Sequence, residues 1–236
     1  MLDAKRLLDQ FLGGQDGKGG AGEFMKGAGG GALAGGLAAI LLGSKTGRNI
    51  GGEALKLGGM AAVGALAYKA YRDWQAGKEA PAAAPARESV PMLPAPSGTP
   101  FNPSSESGQQ TLARHLLRAM IAAAKADGHV DDDERKKIAD KLKLAGIGAE
   151  AEKFLLAELE SPLDLDTLVA GAKTDAQKLE LYTASRLTID PDTRAERGYL
   201  DLLAGRLGLP DALVDHVEAT VSAAKVPAGN APSSPW

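Results

Sequence analysis

From residue 110 to about residue 224 the apolar side chains recur at three- and four-residue intervals and never alternate, a period that admits helices and excludes a sheet. Leu112, Leu116, Leu117, Met120, Ile121 and Ala124 mark one face of a first helix. A second spans 132–145 and stops at Gly146, and Phe154, Leu155, Leu156 and Leu159 mark a third. Ser161, followed by Pro162 and three residues later by Asp164, reads as the N-cap of a short helix ending near Ala172. Thr174 with Gln177, and Thr193 with Glu196, are capping boxes that open helices ending near Thr188 and at Gly208. Pro210 starts the last helix. The expected fold class is therefore all-α, with a compact seven-helix bundle over 110–226 and an irregular tail over 227–236 that holds Pro227, Pro232 and Pro235.

The front of the chain has a different character. Residues 2–12 read as a short amphipathic helix stopped by Gly13 and Gly14. Residues 27–44 carry no charge and lie between Lys26 and Lys45, a length near the lower limit for crossing hydrocarbon, which takes about 17–25 residues. The run is weakly apolar: seven Gly and five Ala against five large aliphatics, Leu33, Leu37, Ile40, Leu41 and Leu42. A second run from Leu57 to Tyr68 is too short to span unless Lys56 and Lys69 snorkel. Tyr68, Tyr71 and Trp74 at its end read as an interfacial aromatic belt. Residues 79–109 hold seven Pro among Ala and Ser and read as an extended linker. The expected organisation is a Gly-rich, membrane-associated helical region over 1–78, a linker over 79–109, and the separate bundle.

Charge follows the same division. Residues 1–78 carry ten Lys/Arg and six Asp/Glu, net +4; residues 110–236 carry sixteen and twenty-one, net −5; with −2 between them the chain sums to −3. An acidic folded part argues against nucleic acid, whose phosphates need basic surface. A mildly basic apolar part suits an anionic membrane. The absence of Cys excludes disulfides and thiolate metal sites, and Asp3, Lys5, Arg6 and Asp9 break any secretory signal.

Gly27, Gly31, Gly35, Gly43, Gly47 and Gly51 share one four-residue register, with Ala39 in the gap. On a helix they form a small-residue stripe along which two backbones can approach, so Gly27, Gly31, Gly35 and Gly43 are the expected contact for self-association or a membrane-protein partner. The second constellation is the acidic turn around Gly128, with Asp127, Asp131 and Glu134. Placed on a calcium loop, these three fit, but Ala123 and Lys125 stand where the first and third ligands belong. Two readings remain open: a weak divalent-cation site, and a helix-turn-helix in which Asp131 caps and Glu134 closes a capping box. A weak repeat at an offset of 62 pairs Glu134-Arg135 with Glu196-Arg197, Ile138 with Leu200 and Gly146-Ile147 with Gly208-Leu209, placing Asp190-Pro191-Asp192 at a second acidic turn of a pseudo-symmetric bundle.

The stretch AxADGHVDDDER, followed later by ASRLTIDPDTRAERGYLDLLAGRLGL, resembles the TerB-like all-helical domain of tellurite-resistance proteins. MLDAKRLLDQFL and LLGSKTGRNIGGEALKLGGMAAVGALAYKAYRDWQ resemble the YebE-like family of bacterial inner-membrane proteins. The resemblance implies an inner-membrane or membrane-associated protein, and a sensing or scaffolding role in envelope or metal stress is the expected function. Lys45, Arg48 and Lys56 favour a cytoplasmic position for the segment after the first run, so the C-terminal domain is expected to be cytoplasmic if the second run does not cross. It also implies a divalent metal ion held by Asp127, Asp131, Glu134, Asp190 and Glu196, with the second turn, which lacks a Gly, fitting less well.

No nucleophile elbow, P-loop, HExxH or dinucleotide fingerprint is present, so no enzyme is expected; a hydrolase using Asp127 and Glu134 is the weakest alternative. The runner-up is a soluble, acidic cation-binding protein whose glycine segment drives self-association. His115 and His216 read as ordinary helix residues, leaving His129 as the histidine to test.

Overall fold

The structure is a computed structural model and describes residues 2–12, 59–80, 94–126, 136, 138–140, 142–143, 147–189 and 191–225. Eight bounded helices occur among them: α1 Ala4–Leu12, α2 Gly59–Gln75, α3 Glu106–Ala124, α4 Ala149–Glu160, α5 Leu165–Gly171, α6 Asp175–Thr188, α7 Arg194–Leu207 and α8 Asp211–Lys225. Helical residues at 136, 138–140 and 142–143 fall within the expected second helix of the bundle, and no strand occurs among the described residues.

The capping signals act as their chemistry requires. Thr174 Oγ1 accepts from Gln177 N at 3.2 Å while Gln177 Oε1 accepts from Thr174 N at 3.3 Å. Thr193 and Glu196 repeat the exchange, and α7 closes on Gly208 in the left-handed conformation (φ 67°), which Gly adopts without strain. Ser161 departs from expectation. Pro162 holds it extended, its hydroxyl donates to Ala157 O at 2.8 Å, and it therefore ends α4. The N-cap of α5 is Asp164, whose carboxylate accepts from Thr167 N at 2.9 Å.

The hydrophobic core joins helices from both ends of the chain. α3 packs most extensively on α6, α2 lies against α8, α6 and α1, and α1 lies across α3. Ala4, Leu7, Leu8 and Leu12 of α1 and Met60, Val63, Leu66 and Ala67 of α2 share one buried cluster with Leu116, Leu117, Met120, Leu179 and Val217. A nine-residue helix is marginal by itself. Burial of three Leu side chains, each contributing about 2 kcal/mol, accounts for α1. Gln110 on α3 fastens its start, accepting from Ala4 N at 2.8 Å and donating to Asp3 Oδ1 at 2.9 Å.

Three expectations are corrected by this packing. The described parts of 1–78 do not stand apart from the bundle but are built into it. Residues 59–68 of the second apolar run form half of α2 and are buried against protein: Ala62, Val63, Ala65, Leu66 and Ala67 are each 5% exposed or less. Tyr68 and Tyr71 stack with Phe101 at ring separations of 5.7 Å, so they close an internal aromatic contact. The linker reading fails at its C-terminal side. Phe101 is buried, Asn102 Nδ2 donates to Ala95 O at 3.0 Å, and Ser105 caps α3, which starts before residue 110. The uncharged run 27–44, the glycine register and the tail lie outside the described residues. Among the described residues no helix is long and apolar enough to cross a membrane.

Close approach explains two glycines of α2. A Cβ on Gly59 would stand 2.5 Å from Leu8 O, and one on Gly64 would stand 2.7 Å from Phe101 O. Met60 N donates to Asp9 Oδ1 at 3.4 Å, so the start of α2 rests on the second half of α1.

Candidate functional site

The two acidic turns are bordered by basic side chains that serve helix ends. Asp127, Asp131 and Glu134 lie outside the described residues, but Lys125, just before them, does not. Its Nζ donates to Glu158 O at 3.2 Å and to Ser161 O, the last carbonyls of α4. A cation there meets the negative end of the helix dipole. Burial pulls the Lys125 ammonium below the ordinary lysine range, and the Glu158 charge partly restores it. The residue that would occupy the third place of a calcium loop is therefore turned to α4.

At the second turn Asp190 lies outside the described residues, while its neighbours are fully placed. Lys225 Nζ donates to Arg186 O at 3.1 Å and to Ile189 O at 2.9 Å, and Arg186 Nη1 reaches the same Ile189 O at 2.9 Å. Arg197 Nη1 donates to Pro191 O at 2.9 Å and Asp192 O at 3.1 Å. Glu196 is committed to its cap: Oε2 accepts from Thr193 N and from Thr193 Oγ1, both at 2.9 Å. Three basic side chains thus occupy backbone carbonyls of 186–192, and a divalent cation at this turn would have to sit among them. Among the described residues no three His, Asp or Glu side chains come together as a metal site would require.

The polar interior lies along α6, which is buried from Leu179 to Thr188. Thr183, Ser185 and Thr188 return their hydroxyls to the carbonyls four residues back, at 2.7, 3.0 and 2.9 Å. Tyr182 donates to Glu218 Oε1 at 2.8 Å, and Arg186 pairs with Glu218 through Nε and donates to Ser222 Oγ at 3.1 Å. Burial and then the Glu218 charge push the Tyr182 hydroxyl above the ordinary phenol range. Burial also pushes the Tyr199 hydroxyl up to about 12. Glu180, like the Tyr199 hydroxyl, lacks a hydrogen-bond partner, but it is a carboxyl. It is fully buried, neither carboxyl oxygen has a hydrogen-bond partner, and burial raises its proton affinity well above that of an ordinary carboxyl.

The two described histidines tie helices together. His115 Nε2 lies 2.7 Å from Leu168 O, with its imidazole pushed toward the neutral form first by burial. Gly171 leaves room for that ring, since a Cβ there would lie 2.0 Å from its Cε1. His216 Nε2 lies 3.0 Å from Lys78 O, just beyond α2. Of the five acids carried over as metal ligands, Glu196 is described, as a capping residue, and the other four lie outside the described residues. Glu180 and the Arg186–Glu218 pair escaped the sequence reading. The signal for Glu180 was the pair Ala176 and Ala184, one turn to either side, which marks a buried stripe around an acid.

A family model described as "Protein of unknown function (DUF533)" matches residues 27–221, and the family is TerB-like. An uncharacterised protein in the ampR 5' region of Yersinia enterocolitica is 32% identical over 108 residues, which make up 46% of this chain and 78% of that protein. No solved structure matches the chain.

Proposed function

The chain belongs to the DUF533 family, whose function is unknown, and from that premise we propose that it is a membrane-attached helical scaffold whose bundle stays on the cytoplasmic side of a bacterial inner membrane. The observation that carries the reading is the meeting of α1 and α2. Gly59 rests on the Leu8–Asp9 backbone and Met60 N on Asp9 Oδ1. Leu12 is three residues past Asp9, about 4.5 Å along the helix axis, so the end of α1 and the start of α2 stand at nearly one place. A single crossing would separate those points by about 30 Å of hydrocarbon. Two crossings would need a second apolar span, and Lys45, Arg48, Glu53 and Lys56 occupy the return. On this reading the uncharged run 27–44 would dip into the lipid and leave it on the same side, with Lys26 and Lys45 at the headgroups.

In this arrangement the membrane segment anchors and the bundle presents its acidic surface to partners. The Gly27, Gly31, Gly35 and Gly43 stripe joins copies or a membrane-protein partner within the lipid. The function calls for no catalytic group. Envelope or metal stress is the setting in which the scaffold would act, with a divalent cation at the first acidic turn as the signal. The test is membrane extraction of the full chain beside a Leu37→Asp/Leu41→Asp variant. The parent should stay with membranes at high pH and the variant should be released. Full release of the parent would count against attachment and favour a soluble protein that self-associates through its glycines.

A further inference from the structure

Most buried polar side chains along the α6 interior have a partner, and Glu180 does not. Among the described residues it is the buried carboxyl with both oxygens unpartnered, and it is 0% exposed. Its Oε1 lies 3.3 Å from the point a Cβ on Gly64 would occupy, and that same point lies 2.7 Å from the Phe101 carbonyl oxygen. The carboxyl is thus sealed where α2 crosses α6 under the 94–105 segment. On α6 the residues a turn away are Ala176, Gln177, Thr183 and Ala184, and on α2 those around Gly64 are Met60, Ala61, Ala67 and Tyr68. Tyr68 alone of these titrates, and its ring faces Phe101.

The charged groups nearby along these helices are occupied elsewhere: Lys69 with Asp73, Lys178 with Asp175, Arg186 with Glu218. His115 and Arg118 on α3, Arg197 and Asp201 on α7, and Asp215, His216 and Glu218 on α8 are among the charged and titratable side chains of the helices packed around it, and burial is what raises the proton affinity of Glu180. A neutral carboxyl can occupy such a site, whereas a carboxylate without partners there is far costlier.

We propose that Glu180 is a proton-operated latch on α2: the helix stays seated on α6 while the carboxyl keeps its proton, and loss of that proton drives α2 and the Phe101 segment off α6 so that the carboxylate reaches water. The sign is opposite to that of a salt-bridged acid. The open state ionises as an ordinary carboxyl and the closed state holds its proton, so opening releases a proton. Opening is favoured tenfold per pH unit above the ordinary carboxyl range, until the closed state itself ionises. This conclusion is independent of membrane attachment.

Hydrogen exchange on the full chain between pH 6 and pH 9, corrected for base catalysis, tests it. Amides of Val63 to Ala67 should show an opening constant that rises with pH, by at most about tenfold per pH unit, and that stays larger than the opening constant of Leu203 and Ala204 on α7, which are exposed by unfolding of the whole bundle rather than by release of α2. Glu180→Gln removes the proton equilibrium and should flatten the α2 response. Glu180→Leu, which leaves no polar atom to satisfy, should flatten it equally. A parent α2 response independent of pH, a slope that survives in either variant, or opening constants on α2 no larger than those on α7 would overturn the latch.

Discussion

Replacing Gly64 with Ala sets two effects of opposite sign against each other. In a helix interior Ala is favoured over Gly by about 1 kcal/mol. At Gly64, however, the new methyl would stand 2.7 Å from Phe101 O and 3.3 Å from Glu180 Oε1. The nearer atom is backbone, and the Phe101 ring is held by both Tyr68 and Tyr71, so α2 or the 94–105 segment must shift. Overpacking of this kind costs about 1–3 kcal/mol. A rigid carbonyl belongs at the upper end, so the net expectation for Gly64→Ala is a loss of about 1–2 kcal/mol. Gly198 supplies the control: it lies in α7, is exposed, and a Cβ there meets nothing within 4 Å. Gly198→Ala should raise stability by up to about 1 kcal/mol. Urea unfolding of both variants and the parent, followed by far-ultraviolet circular dichroism, gives the comparison. A Gly64→Ala variant as stable as Gly198→Ala would refute the close approach of α2 to Phe101.

Leu8→Ala on α1 should lower the stability of the whole bundle by about 2–5 kcal/mol, seen as one shifted unfolding transition; an unshifted main transition would mean that α1 does not share the core. Asp73, buried yet bonded to Lys69 and Lys78 at 2.7 and 2.8 Å, is held at about 2 because these two cations outweigh its burial. Its contribution to stability is present above pH 4 and lost as pH falls toward 2, so Asp73→Asn should flatten that part of the stability profile, measured by thermal melting from pH 2 to 5. If the first acidic turn holds a divalent cation, added calcium, magnesium, manganese or zinc should raise the melting temperature of the parent, by about 2.7 kcal/mol of stabilisation at a hundredfold excess over Kd. Asp131→Asn/Glu134→Gln should stay flat, whereas overlaid curves for the parent with chelator and with cation would leave a capped turn.

The local grammar of the bundle was legible because it depends on residues three or four apart. Thr174 with Gln177 and Thr193 with Glu196 are complete instructions in themselves, and Gly208 ends its helix by its own conformational freedom. Ser161 was misread because Ser, Pro and Asp within four residues can cap either neighbour; the extended backbone before Pro162 gives Ser161 to α4 and leaves Asp164 to start α5. The Ala- and Gly-rich run after Leu57 was misread for a deeper reason. Small apolar residues permit close packing in lipid and in a protein interior alike, and only Phe101 and α8, distant in sequence, decide between them. The same holds for Tyr68 and Tyr71, which serve a belt and an aromatic stack equally well. Glu180 and the Arg186–Glu218 pair depend on partners or neighbours from other helices and left almost no local trace. Of the carried-over metal acids, Glu196 was legible in its capping role, which needs nothing beyond Thr193.

The absence of Cys makes the most direct test of the membrane arrangement simple. Single substitutions Ala21→Cys and Ala54→Cys flank the uncharged run 27–44, and Ala195→Cys marks the exposed start of α7 as a reference for the bundle. A membrane-impermeant maleimide added to sealed inverted inner-membrane vesicles should label all three, and none in intact spheroplasts. Labelling of Ala21→Cys and Ala54→Cys from opposite sides would contradict the same-side entry and exit on which the account rests.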